Sequence, residues 1–106
     1  MIKAVTNATF EGEVLASKKP VLVDVWATWC TPCKAMEPTI EAVAKEFEGR
    51  LDVVKLNADE NAELVQKLDV MSLPTVMFFK DGQPVSRLIG LASKDRLTGA
   101  VTAALA

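Results

Sequence analysis

The segment from Val21 to Trp26 places the strongest constraint on the fold, because all of it is apolar except Asp24. Side chains alternate between the two faces of a strand, so this segment is apolar on both faces. Such strands are typical of the centre of a sheet that helices cover on both sides. The segments Ile2 to Val5 and Leu51 to Asn57 predict further strands, separated by helical patterns. We therefore expect an α/β protein with parallel crossovers.

Four segments have helical patterns or start with a capping residue. They predict a helix capped by Asn7, a long helix from Cys30 to Phe47, a short one from Asn61 to Leu68, and a last helix capped by Ser93.

The second half of the chain adds a hairpin. Thr75 to Phe79 and Pro84 to Ile89 predict two strands around a turn that contains Gly82. The complete pattern predicts a mixed sheet of five strands flanked by four helices. A length of 106 residues corresponds to one domain, spanning 1–106.

Composition excludes several classes of function. Lys and Arg number 12 and Asp and Glu 14, a net charge of −2, which argues against nucleic-acid binding. No apolar run is long enough to span a membrane, and the first ten residues lack the apolar stretch of a signal peptide, so we expect a cytoplasmic protein. With no histidine and two cysteines, the chain cannot form a Ser-His or Cys-His pair, or a four-ligand zinc site by itself.

The two cysteines, Cys30 and Cys33, lie where the central strand leads into the long helix. Side chains three residues apart on a helix are about 5–6 Å apart at Cβ, so a small tightening allows a disulfide. Cys30 is expected to lie exposed at the helix N-terminus, where the helix dipole favours its thiolate. Pro32 fits the first turn, and Lys34 adds positive charge.

The cysteine pair has two alternative interpretations, a structural disulfide and a pair of unreactive thiols. A four-residue loop gains only about 2 kcal/mol from closure, which is little for a chain with an ample core. In a strand–helix context, this spacing favours a redox-active pair instead.

Asp24 is the one charged residue of the central strand, on the same face as Leu22 and Trp26. Burial would raise the pKa of its carboxyl and make it a proton acceptor. The alternative is a solvated Asp on an edge strand.

The run from Trp26 to Lys34, WATWCTPCK, resembles the active-site signature of the thioredoxin family. The positions of Leu73-Pro74-Thr75, Lys80-Asp81-Gly82 and Gly90 also fit that family, and the similarity covers the whole chain. The resemblance implies the thioredoxin fold and a thiol–disulfide oxidoreductase that reduces protein disulfides. It further implies recharging by thioredoxin reductase and no cofactor or metal other than the redox-active pair.

The resemblance also implies residue roles. Cys30 would attack the substrate disulfide and Cys33 would resolve the mixed disulfide. Asp24 would help to deprotonate Cys33, with Lys55 close by to modulate that acid. For Lys55, a solvated lysine on a strand is an equal alternative. Pro74 would have a cis peptide bond and contact the substrate backbone.

An apolar surface around Cys30 would bind substrates and suit many partners. Its expected members are Trp29, Thr31, Pro32, Leu73, Pro74, Gly90 and Leu91. Core filling is the alternative for Trp29, and a simple turn is the alternative for Gly90.

Thr31 departs from the family, which usually has glycine at this position. Its hydroxyl is expected to donate a hydrogen bond to the Cys30 thiolate and so to raise the redox potential. The alternative is that Thr31 only stiffens the loop.

The leading interpretation is a reducing oxidoreductase that acts as a monomer on disulfide-containing proteins, without nucleic-acid or membrane partners. A binding module that uses the same apolar surface without catalysis is one alternative. An oxidase or isomerase is the other.

Overall fold

A computed structural model describes residues 2–106 as one sheet with helices on both faces. The strands are β1 (Lys3–Val5), β2 (Val21–Trp26), β3 (Asp52–Asn57), β4 (Thr75–Lys80) and β5 (Gln83–Ile89). The helices are a π-helical segment (Glu11–Leu15), α1 (Thr31–Glu46), α2 (Ala62–Lys67) and α3 (Lys94–Leu105). The prediction of five strands and four helices is confirmed.

The strand order is β1-β3-β2-β4-β5, which places β2 at the centre. Strand β3 is parallel to both β1 and β2, whereas β4 is antiparallel to β2 and β5. The sheet is therefore mixed, as predicted. Because β4 begins beside the end of β2, with Thr75 opposite Val25, the loop before β4 lies at the edge where β2 ends.

The two faces of the sheet form two separate cores. Leu22 of β2 packs with Met36 and Ile40 of α1 and with α3 on one face. Val23 and its strand neighbours pack with Phe10 and α2 on the other face. The prediction of a central strand covered on both sides is confirmed, since all residues of β2 except its last are buried. Within residues 2–106, no helix has the length and apolar character needed to span a membrane.

The Lys80–Gln83 hairpin follows its prediction. Asp81 and Gly82 have φ values of 53° and 78°, as expected for the favoured two-residue turn between antiparallel strands. A side chain at Gly82 would also meet the Leu15 carbonyl oxygen at 2.8 Å, so glycine is required there.

Asn7 does not cap the helical segment that follows it, and that prediction is wrong. The Phe10 position begins that segment without a side-chain cap. Instead, Asn7 Oδ1 accepts a hydrogen bond from the Leu64 N–H in the first turn of α2, at 3.2 Å. Asn61 Oδ1 in turn accepts one from the Asn7 N–H at 2.8 Å. The Asn7 side chain thus satisfies a helix N-terminus that is distant in sequence. The predicted Ser93 cap is confirmed, because its Oγ accepts a hydrogen bond from the Arg96 N–H.

Candidate active site

Cys30 and Cys33 form a disulfide at the edge of the sheet where β2 ends, with Cα atoms 5.3 Å apart. Cys30 is the N-cap of α1 and has an extended backbone, with φ −90° and ψ 101°. Its sulfur accepts a hydrogen bond from the Cys33 N–H at 3.2 Å. Pro32 lies in the first turn, where no N–H is needed. An N–H of the first helical turn and the helix dipole therefore both act on the Cys30 sulfur.

The expected exposure of Cys30 is not found, because both cysteines are buried, at 3% and 4% relative exposure. Ala27 is buried with them, and Trp26 and Leu73 pack against this cluster. Exposure therefore does not distinguish the two sulfurs in the disulfide form. The positions of the two cysteines on the helix distinguish them, since only the Cys30 sulfur accepts the hydrogen bond from the Cys33 N–H.

Thr31 is exposed, and within residues 2–106 its hydroxyl makes no hydrogen bond to the Cys30 sulfur. In this disulfide form, the Cys30 sulfur accepts its hydrogen bond from the Cys33 N–H. Thr31 is the first residue of α1, where a β-branched side chain restricts the backbone. The expected bond to the Cys30 thiolate belongs to the reduced protein, so both interpretations of Thr31 stay predictions.

The Leu73–Pro74 peptide bond is cis, as the resemblance implied. The Pro74 carbonyl accepts a hydrogen bond from the Gly90 N–H at 2.8 Å. Gly90 has a φ of 85°, a left-handed conformation that favours glycine. The start of β4 and the end of β5 are therefore joined at the edge of the sheet that carries the disulfide.

Trp29 is 67% exposed, so its alternative as a core residue is wrong. Its indole Nε1–H donates a hydrogen bond to Asp59 Oδ2 at 2.8 Å. Asp59 follows β3 and donates its own N–H to Asn57 Oδ1 at 3.0 Å. The loop after β3 therefore fixes the Nε1 edge of the Trp29 indole.

The other predicted surface residues lie in the three segments that meet at this edge. Thr31, Pro32 and Leu91 are exposed, Leu73 and Gly90 are half-buried, and Pro74 is buried. Exposed Ile89, opposite Thr75 at the end of β5, adds apolar area.

Asp24 is only 4% exposed, and the alternative of a solvated edge residue is wrong. Burial raises the pKa of its carboxyl to about 6, although the Lys55 charge lowers that pKa and the Glu37 charge raises it. Asp24 reaches a cavity of about 220 Å³ that Glu37 and Lys55 also line. A carboxyl with such a pKa can both accept and release a proton near neutral pH.

Lys55 is the cross-strand neighbour of Asp24 on the same face of the sheet. Its ammonium nitrogen lies 4.5 Å from the centre of the Trp26 ring, a cation–π contact. Among residues 2–106, no ion pair within 4.0 Å joins it to Asp24. The half-buried Lys55 therefore acts on Asp24 through its field rather than through a direct bond.

The thioredoxin family model matches residues 1–103 of the chain. The chain belongs to the thioredoxin family. It is 50% identical over 93 residues to a thioredoxin of Mycobacterium tuberculosis, an alignment that covers 88% of this chain and 80% of that protein. It is 46% identical to a thioredoxin of Rickettsia bellii, with 92% of each chain covered. The bifunctional thioredoxin reductase/thioredoxin of Mycobacterium leprae is 48% identical over 88% of this chain and 20% of that protein.

Family membership and the Cys30–Cys33 disulfide make this protein a thiol–disulfide oxidoreductase. Its redox group is its own cysteine pair. Membership also implies disulfide-containing substrates and a reductase as partners.

The sequence patterns did not predict two residues of this site. Asp59 follows β3, and the carboxyl ends of parallel β2 and β3 meet at one edge, which is a signal that could have found it. Glu37 lies four residues after Cys33, a spacing that places both on one side of α1.

Proposed function

We propose that this protein reduces disulfides in other proteins, with Cys30 as the nucleophile and Cys33 as the resolving cysteine. The observation that carries this assignment is the N-cap position of Cys30, whose sulfur accepts the Cys33 N–H. A backbone donor and the positive end of the helix stabilise a thiolate at that sulfur in the reduced protein.

In the first step the Cys30 thiolate attacks one sulfur of the substrate disulfide. A Cys30–substrate S–S bond forms, the substrate S–S bond breaks, and the other substrate sulfur leaves as a thiolate. The Cys30 sulfur is buried in the disulfide form, so the reduced protein must expose it along the line of attack.

In the second step Cys33 loses its proton and attacks the Cys30 sulfur. The Cys30–Cys33 bond forms, and the second substrate sulfur leaves as a thiolate. Asp24 receives the Cys33 proton through water, which its pKa of about 6 permits at neutral pH. Lys55 modulates Asp24 from the neighbouring strand.

Substrates dock on the apolar surface around the disulfide. Its members are Trp29, Thr31, Pro32, Leu73, Pro74, Gly90 and Leu91. Exposed Trp29 and Leu91 supply apolar contact area. Pro74 follows Leu73, which packs against the cysteine cluster, and it contacts the substrate backbone. Such contacts demand little of the substrate side chains, which suits a protein with many partners.

Thioredoxin reductase is the proposed source of the two electrons that restore both thiols. The relative from Mycobacterium leprae, which unites the two names in one protein, supports this partner. We place the protein in the cytoplasm, where thiols are kept reduced. We further propose a single domain over 1–106 that acts as a monomer without nucleic-acid or membrane partners, because self-association through the apolar surface would block substrates.

The redox potential tests the reducing direction. The protein is equilibrated in dithiothreitol and glutathione buffers, and the fraction of disulfide is measured. We expect a redox potential of about −270 mV, which is typical of reducing members of this fold. A value of about −180 mV or higher would favour an isomerase or oxidase. Failure to reduce a protein disulfide with dithiothreitol as electron source would favour a non-catalytic binding module.

A further inference from the structure

The cavity beside Asp24 contains more charge than the proton transfer requires. It has a volume of about 220 Å³ and its charged lining residues are Asp24 of β2, Lys55 of β3, and Glu37 and Glu41 of α1. Three carboxylates and one ammonium therefore share a small space on the α1 side of the sheet.

We propose that Glu37 is a positioning residue for the resolving step, whose negative charge offsets that of Lys55 and keeps Asp24 basic enough to take the Cys33 proton. This inference rests on the proposed role of Asp24 as the proton acceptor. It adds a residue of this chain to that role, and it assigns Glu37 no contact with substrate.

The charges that face Asp24 come from two elements packed against it. From β3, the positive charge of Lys55 lowers the pKa of the Asp24 carboxyl. Burial is the largest cause of the raised pKa, and from α1 the negative charge of Glu37 raises it too, by less than Lys55 lowers it. Two further titratable residues, Cys33 and Glu41, lie on the same helix. Cys33 is uncharged in the disulfide, and Glu41 is not among the charges that move the Asp24 pKa.

Glu37 keeps its charge available to the cavity. It is half-buried, and among residues 2–106 it forms no ion pair within 4.0 Å. Lys55 does not neutralise it directly, because the ammonium lies over the Trp26 ring. An unpaired carboxylate in a partly enclosed space acts on its neighbours more strongly than a solvated one.

The consequence concerns base strength. A carboxylate with a higher pKa is a better acceptor for a thiol proton, provided that it is still ionised at the working pH. Without the Glu37 charge, the attraction of Lys55 would be less opposed. Asp24 would then ionise at lower pH and accept the Cys33 proton less readily.

Glu41 offers a matched control. It lines the same cavity from the next turn of α1, but it is exposed and its charge is not among the causes that move the Asp24 pKa. Glu41→Gln removes the same charge as Glu37→Gln from the same helix.

The first experiment measures the Asp24 pKa in the oxidised protein, where the cysteines do not titrate. The carboxyl carbon of Asp24 is followed by NMR from pH 4 to 9 in the parent, Glu37→Gln, Glu41→Gln and Glu37→Asp. We expect a lower midpoint in Glu37→Gln, a smaller change or none in Glu41→Gln, and a midpoint close to the parent in Glu37→Asp. An unchanged midpoint in Glu37→Gln, or equal shifts in all three variants, would overturn the proposal.

The second experiment measures the resolving step by stopped flow, with an aromatic disulfide that releases one coloured thiolate on attack and a second on resolution. The rate of the second release should rise with pH as Asp24 ionises. In Glu37→Gln we expect this rise at lower pH and a plateau about twofold lower. A lower plateau with an unmoved midpoint would indicate altered packing and would refute the charge effect.

Asp24→Asn separates this inference from the proposed function. If Asp24→Asn leaves the second release unaffected, the proton-acceptor role fails and the Glu37 proposal fails with it. If Asp24→Asn slows that release but Glu37→Gln does not move the Asp24 midpoint, the proposed function stands and the Glu37 proposal alone is refuted.

Discussion

The outer face of the active site and its inner side differ in exposure and in charge. On the outer face, Trp29 and Leu91 are 67% and 59% exposed and carry no charge. On the inner side, Asp24 is almost fully buried and shares a cavity with Lys55 and two glutamates. An exposed apolar surface is suited to recognition, whereas a buried carboxyl is suited to proton transfer.

The two regions share no residue, so recognition and proton chemistry use different side chains. Substitutions on the outer face should change how tightly substrates bind. Substitutions on the inner side should change the pH dependence of resolution and the stability of the fold. A result that mixed these effects would break the distinction.

The largest effect is expected at the cysteines. Cys30→Ser should abolish disulfide reduction, because it removes the nucleophile. Cys33→Ser should retain the first attack and accumulate mixed disulfides with substrates. Non-reducing gels after incubation with a disulfide-bonded protein check both outcomes. If alkylation of the reduced parent near neutral pH labelled Cys33 faster than Cys30, the two roles would be reversed.

Asp24→Asn should slow resolution and also stabilise the protein. The Asp24 pKa rises from 3.8 to about 6 on folding, so the folded state holds its proton more tightly than the unfolded state. Stability is therefore lost as pH rises between these values, by at most about 3 kcal/mol. Guanidinium unfolding of the oxidised protein should show Asp24→Asn more stable than the parent at pH 7.5.

The pH dependence provides the control for this prediction. Near pH 4 the parent carboxyl is protonated when folded, so the advantage of Asp24→Asn should largely disappear. A destabilised Asp24→Asn at pH 7.5 would show that the carboxylate is well paired in the native state, contrary to the cavity described above.

On the outer face, Leu91→Ser should raise the KM for a protein disulfide about fivefold, with kcat unchanged. Loss of about 1 kcal/mol of apolar contact in the complex accounts for that factor. Val85→Ser is the matched control, because Val85 is also half-exposed and apolar but lies near the hairpin turn, away from the disulfide. An equal rise in KM for both variants, or a fall in kcat for Leu91→Ser, would contradict a local docking role.

Local patterns predicted the fold well, and failures arose where a partner was distant in sequence. The Lys80–Gln83 turn and the Ser93 cap depend on adjacent residues, and both follow their predictions. Asn7 has the right chemistry for a cap, but the fold brings it to α2, 57 residues away. No residue near Asn7 in the sequence indicates that it caps α2.

The candidate site shows the same limit. The strand pattern indicated that Asp24 is buried, and the cysteine spacing indicated the disulfide. Asp59 and Glu37 were missed because their effects are exerted on Trp29 and Asp24, side chains that other segments supply. The exposure of Cys30 was wrong because Leu73, from the loop before β4, packs against it.

Thr31 belongs to the outer face, and the smallest effect is expected there. Thr31→Gly should destabilise the protein by about 0.5–1 kcal/mol, since glycine gives the unfolded chain more freedom. The oxidised and reduced forms should lose this stability equally, which leaves the redox potential unchanged. Thr31→Val is the sharper variant, because it removes the hydroxyl and keeps the β-branch, and it should preserve both stability and potential. Potentials measured for the parent and both variants in one glutathione buffer decide the point. A fall of about 20 mV in Thr31→Val, which corresponds to about 1 kcal/mol, would mean that the hydroxyl stabilises the thiolate once the disulfide opens.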